Sequence, residues 1–292
     1  MFNYNFKRYL RTKQIDKFKT IILGCQRSGT TLLKEILDNS QLYMFEENWI
    51  LPYFYRERWH ACGVWHRADD IDTKEQAIWD GAVREFIEKS YGVYFSKNRK
   101  PCHDFWGAKA PGLNMAKSTE FMESLFPELK FVIIIRDPRD TFSSMQKSAG
   151  MISNIPEDFY KDAVNSPDLV ELSMLPHSYW GAVYSQLDKL VESSPLKCHI
   201  IRYEELLEDP VRIIQELCSF IDVSFSVNML EPFCKKISNA SIVSMSYEDY
   251  LSGNYTISKS AVGRWKKDLS NHDCEEIIKY NRKIAKKWGY EI

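Results

Sequence analysis

The sequence predicts an α/β fold: a parallel β-sheet flanked by helices, with a helical insertion between its first two motif strands. Three observations predict it. Short, β-branched apolar runs occur at residues 20–24, 131–135 and 197–203. None of them alternates with polar residues, as expected of strands covered on both faces. Each is followed by sequence of helical periodicity, and such alternation implies parallel pairing through right-handed crossovers.

Taken in order, the run 20–24 leads into residues 31–39, where Leu32, Leu33, Ile36 and Leu37 share a helical face. The aromatic-rich stretch 49–106 reads as the helical insertion. The run 131–135 is the longest purely apolar one, far too short to span a bilayer, and a helix over 140–149 follows it. Ser166-Pro167 reads as an N-cap with proline at the first helical position, opening a helix towards Val191. The run 197–203 precedes a helix over 211–221 with Ile213, Ile214, Leu217, Phe220 and Ile221 on its apolar face. Ser270 followed by Asp273 is a variant capping box for a last helix ending near Gly289. Residues 1–19 form a basic leader, and 20–292 read as a single domain, since no repeat or long linker interrupts them.

Composition narrows the function. The 292 residues are 44% hydrophobic and 27% charged, which is ordinary for a globular protein. With 39 Lys+Arg against 40 Asp+Glu, the net charge of −1 excludes a protein that coats nucleic acid through its global charge. An anionic ligand must therefore be held locally. The seven cysteines are scattered, odd in number and without a CxxC pair, against a disulfide framework and a structural zinc site. The first residues, Met-Phe-Asn-Tyr-Asn-Phe-Lys-Arg, lack the apolar stretch of a signal peptide, which gives the expectation of a soluble, cytoplasmic protein.

Ligands of parallel sheets sit at the carboxyl ends of the strands. After the first strand comes Gly24-Cys25-Gln26-Arg27-Ser28-Gly29-Thr30-Thr31-Leu32-Leu33. A strand, a Gly/Ser/Thr turn and a helix start form an anion site, because backbone N–H groups converge and the helix dipole favours negative charge. The hydroxyls of Ser28, Thr30 and Thr31 add donors, and Arg27 adds a positive fork. A nucleoside-triphosphatase loop needs Gly-Lys-Ser/Thr, whereas here Thr30 follows Gly29 and the cation precedes it. That favours a ligand without a metal-bound triphosphate. After the second strand, Arg136 and Ser144 can hold one phosphate by a charge-assisted fork and a hydroxyl. Arg139 reads as a salt-bridge partner. After the third strand, Tyr203 can stack on a base or pack at the strand end.

These motifs resemble the sulfotransferases that use 3′-phosphoadenosine-5′-phosphosulfate (PAPS), closest to the tyrosylprotein and bacterial carbohydrate types. The family's first motif, Lys/Arg-Ser-Gly-Thr-Thr, is matched completely by residues 27–31. The resemblance implies that Arg27, Ser28, Gly29, Thr30, Thr31 and Leu32 bind the 5′-phosphosulfate. The second motif, an Arg followed eight positions later by a Ser, is matched by Arg136 and Ser144, implying a grip on the 3′-phosphate. Tyr203-Glu204-Glu205-Leu206 matches a stretch whose Tyr lies near the adenine. Gly263-Arg264-Trp265 resembles a loop closing over the nucleotide, with Lys259 and Arg264 as the basic candidates and Trp265 as packing. The likeness covers roughly 20–290, although its motifs leave 48–105 unexplained.

The implied reaction is in-line transfer of a sulfuryl group to a hydroxyl, which needs positioning, cations on the leaving side and a base. Arg27 is one cation. Lys109, in Gly107-Ala108-Lys109-Ala110-Pro111, resembles the family's Lys-x-Pro element and is the other. The histidine that cytosolic members carry two residues later is Pro111 here. The protein-tyrosine members use a Glu in a Glu-Glu stretch before an apolar-Pro pair, matched by Glu46-Glu47-Asn48-Trp49-Ile50-Leu51-Pro52. With a one-residue gap Glu47 takes the base position; Glu46 is the fallback and His103 a third candidate. A closing-loop serine stays open among Ser246, Ser252 and Ser258. A further basic position falls on Ser148, beside Lys147. The acceptor region at 49–106 does not tell a glycan from a small alcohol, phenol or tyrosine. The implied partners are PAPS as co-substrate and a hydroxyl-bearing acceptor, with no metal, no nucleic acid and no integral membrane span; nothing excludes a homodimer. The alternative is a P-loop kinase or NTPase-like nucleotide-binding protein.

Overall fold

The computed structural model of the chain describes residues 17–46, 73–152, 176–234 and 260–292. Its five strands form one sheet in the order β2-β3-β1-β4-β5, with every neighbouring pair parallel. Strand β1 (Phe18–Leu23) leads through a tight loop into α1 (Thr30–Asp38), followed by β2 (Leu42–Phe45). Helix α2 (Thr73–Asn98) precedes β3 (Phe105–Lys109), α3 (Leu113–Lys117), α4 (Thr119–Leu125) and β4 (Lys130–Ile135). Helices α5 (Pro138–Ile152) and α6 (Tyr179–Ser193) lie between β4 and β5 (Cys198–Arg202). Then come α7 (Tyr203–Glu208), α8 (Pro210–Ile221), α9 (Glu231–Cys234), α10 (Trp265–Asp268) and α11 (Asn271–Lys287).

The non-alternating strand sequences have the expected cause. Ile21 and Leu23 of β1, with Phe131, Ile133 and Ile135 of β4, point to one face, against α4, α6 and α2. Ile22, Val132 and Ile134 point to the other, where Leu33, Ile36 and Leu37 of α1 and Ile213, Ile214 and Leu217 of α8 meet them. These strand side chains are fully buried, each Ile or Leu contributing roughly 1.5–3 kcal/mol. The first of the expected strands begins two residues and ends one residue earlier, the second begins one residue earlier, and the third is one residue shorter at each end.

Two further strands carry no strand signal in the sequence. Strand β2 has four residues, and β3 reads Phe-Trp-Gly-Ala-Lys, with a glycine at its centre and a charge at its end. They are strands because the sheet supplies partners, β3 being bonded to both β1 and β2. The helix expected to open at Pro167 differs where it is described: a 3₁₀ turn at Pro176–Ser178 precedes α6. Pro176 has no N–H to continue a helix arriving from upstream. The Ser270/Asp273 capping box on α11 is present with both of its bonds. The helical insertion is described over α2, and residues 47–72 lie outside the described residues. No described helix is long and apolar enough to cross a membrane.

Candidate active site at the carboxyl ends of the strands

Each strand delivers one element to the same edge of the sheet: Glu46 after β2, Lys109 at the end of β3, the Gly24–Gly29 loop after β1, Arg136 after β4 and Tyr203 after β5. The loop needs its glycines. A Cβ on Gly24 would stand 2.4 Å from the Ile134 carbonyl oxygen, and one on Gly29 2.5 Å from the Tyr203 ring. Arg27 and Gly29 are left-handed, with φ of +68° and +103°, a geometry that turns successive N–H groups towards an anion. Gly29 is also the N-cap of α1, and no side chain caps that helix. The first-turn N–H groups of Thr30, Thr31 and Leu32 have no intrahelical acceptor and complete an anion-binding cup.

Ser28 departs from expectation. Its fully buried hydroxyl donates to Cys25 O at 2.6 Å, with Ile134 O at 3.3 Å, so it fastens the loop from behind and is no ligand donor. Behind it stands Tyr184, whose buried hydroxyl accepts from Cys25 N (3.2 Å) and donates to Ile134 O (2.8 Å). Burial pushes this phenol far above its ordinary pKa, so it is a neutral donor. Two α6 neighbours do related work. Tyr179 donates to Gln26 Oε1 (2.7 Å) and accepts from Leu113 N (3.2 Å), while the Trp180 indole donates to Arg136 O (2.9 Å). The sequence reading missed all three. Their signal was the Tyr-Trp-Gly-Ala-Val-Tyr start of α6, where polar-tipped aromatics occupy an apolar helix.

The cations gather around this cup. Arg27 Nε donates to Ser144 Oγ (3.2 Å), joining the two motifs. Arg136 is 4% exposed, donates to Arg27 O (3.2 Å) and to Ala261 O, and stands 4.6 Å over the Tyr203 ring. Its Nε is buried and without a hydrogen-bond partner, an arrangement that suits an anion. Lys109 donates to Thr31 Oγ1 at 3.3 Å and lies 3.3 Å from Glu46 Oε2. Glu46 Oε1 is 2.8 Å from Lys34. Partial burial works against the Glu46 carboxylate, but the Lys34 hydrogen bond and the charge of Lys109 outweigh it and hold the carboxyl below its ordinary range.

The closing segment is anchored to α5. Asp140 accepts from Gly263 N (2.7 Å) and Trp265 N (3.0 Å). Arg264 pairs with Asp268 at 3.2 Å, and Asp268 also accepts from Ser143 at 2.7 Å and pairs with Lys147. Arg139 pairs with Asp137 (2.7 Å) and lies 4.1 Å over Trp265, so both take the structural roles expected of them. His103 does not belong to the site. It is buried ahead of β3, with Nε2 3.0 Å from Asp38 O and Nδ1 accepting from Lys100 N at 3.1 Å. Both ring nitrogens close loops at the amino ends of the strands, so it is no base candidate. Glu47, Lys259, Ser246, Ser252 and Ser258 lie outside the described residues, as does the side chain of Ser148. Among the described residues no group of His, Cys, Asp and Glu could hold a metal ion.

An uncapped helix start ringed by cations at the carboxyl edge of a parallel sheet is an arrangement suited to phosphate-like anions. The profile of the sulfotransferase family matches residues 20–227. The chain belongs to that family, a family of transferase enzymes. It is 25% identical over 235 residues to protein-tyrosine sulfotransferase 2 of Gallus gallus, covering 79% of this chain and 57% of that protein. It is 28% identical over 221 residues to a putative protein-tyrosine sulfotransferase of Caenorhabditis briggsae, covering 74% and 70%. The chain thus spans little more than half the length of the first relative. The sulfotransferase domain from the curacin biosynthetic pathway shares the fold, with a TM-score of 0.59 at 21% identity over 94% of this chain and 98% of that one.

The expectation of a cytoplasmic protein does not stand. Its relatives are protein-tyrosine sulfotransferases, which act in the Golgi lumen. The correction has a plain cause: the first residues of a sequence report only on a signal carried there.

Proposed function

We propose that the chain moves the sulfuryl group of PAPS to a hydroxyl acceptor by in-line displacement, within one domain at 20–292. The observation that carries this reading is the convergence of Arg27, Lys109 and Arg136 on the uncapped start of α1. In this reading the backbone of Gly29 to Leu32 holds the 5′-phosphate. Arg136, Ser144, Lys259 and Arg264 hold the 3′-phosphate, and Tyr203 lies beside the base. Arg27 and Lys109 stabilise charge that grows on the leaving phosphate, where preorganised donors act most strongly. Glu47 takes the acceptor proton. The relatives' names support a tyrosine hydroxyl as the first acceptor to try. A kinase-like reading is not favoured, because Thr30 stands where a nucleoside-triphosphatase loop needs lysine.

Two measurements test this. Adenosine 3′,5′-bisphosphate should raise the melting temperature without divalent metal, and 5′-AMP should raise it less; an equal shift from 5′-AMP removes the 3′-phosphate from the reading. Transfer of radiolabelled sulfate from PAPS should label a tyrosine peptide, glycan, phenol or lipid alcohol, and no label on any of them refutes the activity. Glu47→Gln should lower kcat roughly 10²–10⁴-fold with nucleotide affinity little changed.

A further inference from the structure

Lys109 is a lysine with only 5% of its surface exposed, and a buried ammonium is costly unless an acceptor or anion faces it. Thr31 Oγ1 and Glu46 Oε2 face it, each at 3.3 Å. The second oxygen of Glu46 reaches Lys34 at 2.8 Å. Lys34 stands one helical turn beyond Thr31 on α1, so a single carboxylate ties the phosphate-loop helix to the end of β3. The two contacts differ in quality. The Lys34 distance is that of a charge-assisted hydrogen bond, about 2.7–2.9 Å, and the Lys109 distance is longer. Their surroundings differ too: the Glu46 side chain is 68% exposed, whereas that of Lys109 is 6% exposed. The ammonium therefore has among its partners a carboxylate that keeps a firm partner elsewhere.

We infer that Glu46 is an exchangeable counter-ion of Lys109, pairing with the ammonium until a sulfate or phosphate oxygen displaces it while Lys34 retains the carboxylate. The inference rests on the proposed reaction, in which Lys109 faces the transferring group. It also separates the two adjacent glutamates. A carboxylate pulled on by two ammonium groups is a poor proton acceptor, so Glu46 balances charge and the base is left to Glu47. As a competing anion, Glu46 weakens the hold of Lys109 on any ligand anion.

The test is a double-mutant cycle read by calorimetric titration with adenosine 3′,5′-bisphosphate and, separately, with inorganic sulfate. Glu46→Gln keeps the shape, removes the charge, and should tighten sulfate binding roughly two- to fivefold, the scale of a pair with one exposed member. The nucleotide should show a gain in the same direction. Glu46→Asp, which keeps the charge, should bind like the wild type. In a Lys109→Met background, Glu46→Gln should add nothing. Unchanged or weaker sulfate binding in Glu46→Gln overturns the inference, as does an equal gain in the Lys109→Met background. A kcat loss of two orders of magnitude or more in Glu46→Gln would make Glu46 the base and overturn it too. If the wild type binds no adenine nucleotide, the sulfuryl-transfer reading falls, and the sulfate arm still decides the counter-ion.

Discussion

The two ends of the parallel sheet use polar side chains differently. At the amino ends His103, Lys130 and Thr20 close the scaffold. His103 joins Asp38 O and Lys100 N, Lys130 reaches Phe220 O and Asp222 at 2.6 Å each, and Thr20 donates to Lys130 O at 2.9 Å. At the carboxyl ends Arg27, Lys109 and Arg136 converge on a helix start that no side chain caps, and Arg136 keeps a buried N–H without a partner. His103 and Lys109 are six residues apart in the chain, and both were candidates for chemistry. An extended strand advances about 3.3 Å per residue, so the chain can separate them by up to about 20 Å, at opposite ends of β3. Polarity and burial alone do not tell a site from a scaffold. The direction in which the polar atoms are satisfied does.

Substitutions can break that contrast. The largest effect belongs to Lys109→Met at the carboxyl edge. Turnover should fall roughly 10²–10³-fold, the worth of one preorganised donor to a developing anion, with a much smaller change in nucleotide affinity. Equal losses in kcat and affinity, measured by steady-state kinetics and calorimetry, would reduce Lys109 to a binding residue. Tyr184→Phe lies on the boundary between the two roles. It strips Cys25 N of its partner and costs about 1–3 kcal/mol, read as a lower denaturation midpoint together with weaker adenosine 3′,5′-bisphosphate binding. Normal nucleotide affinity in that variant would show that the loop holds its shape unaided.

His103→Ala should cost stability on the same scale, about 1–3 kcal/mol, and leave turnover per folded molecule intact. A hundredfold loss of turnover there would erase the contrast. The smallest effect is Ser270→Ala, about 0.5–2 kcal/mol in chemical denaturation with no kinetic change. The pH dependence of this cap follows from Asp273, whose carboxyl is held below its ordinary 3.8 by hydrogen bonds from His177 and Ser270. A depressed folded pKa means the stabilisation is complete above the unfolded value and is lost as pH falls through the folded one. The stability gap between wild type and Asp273→Asn should therefore close below about pH 4.

What was legible in the sequence follows from how each feature is built. The phosphate loop acts through the backbone of consecutive residues, so its signature is contiguous, and the central strands β1 and β4 announce themselves because both faces are covered. Strand β3 owes its conformation to neighbours on either side, and its glycine and terminal lysine give it little strand character of its own. The supports from α6 were illegible for another reason: Trp180 reaches back 44 residues and Tyr184 reaches back 159. Ser28 was misjudged because residue type tells what a hydroxyl can do and not where the backbone aims it. Here it lies buried behind the loop, bonded to Cys25 O.

The bond between Cys25 and Tyr184 also sets a schedule for the growing chain. The loop is synthesised early, but the phenol that holds it arrives 159 residues after Cys25. At translation rates of about 5–20 residues per second, that interval is roughly 8–30 s. Strand β4, which flanks the loop, enters partway through it. During that time Cys25 N and Ile134 O lack the hydroxyl that bridges them, so a nascent chain stalled before residue 184 has the loop complete in sequence and without its support from α6. The loop's last hydrogen-bond partner thus arrives with α6, well after the motif itself has left the ribosome.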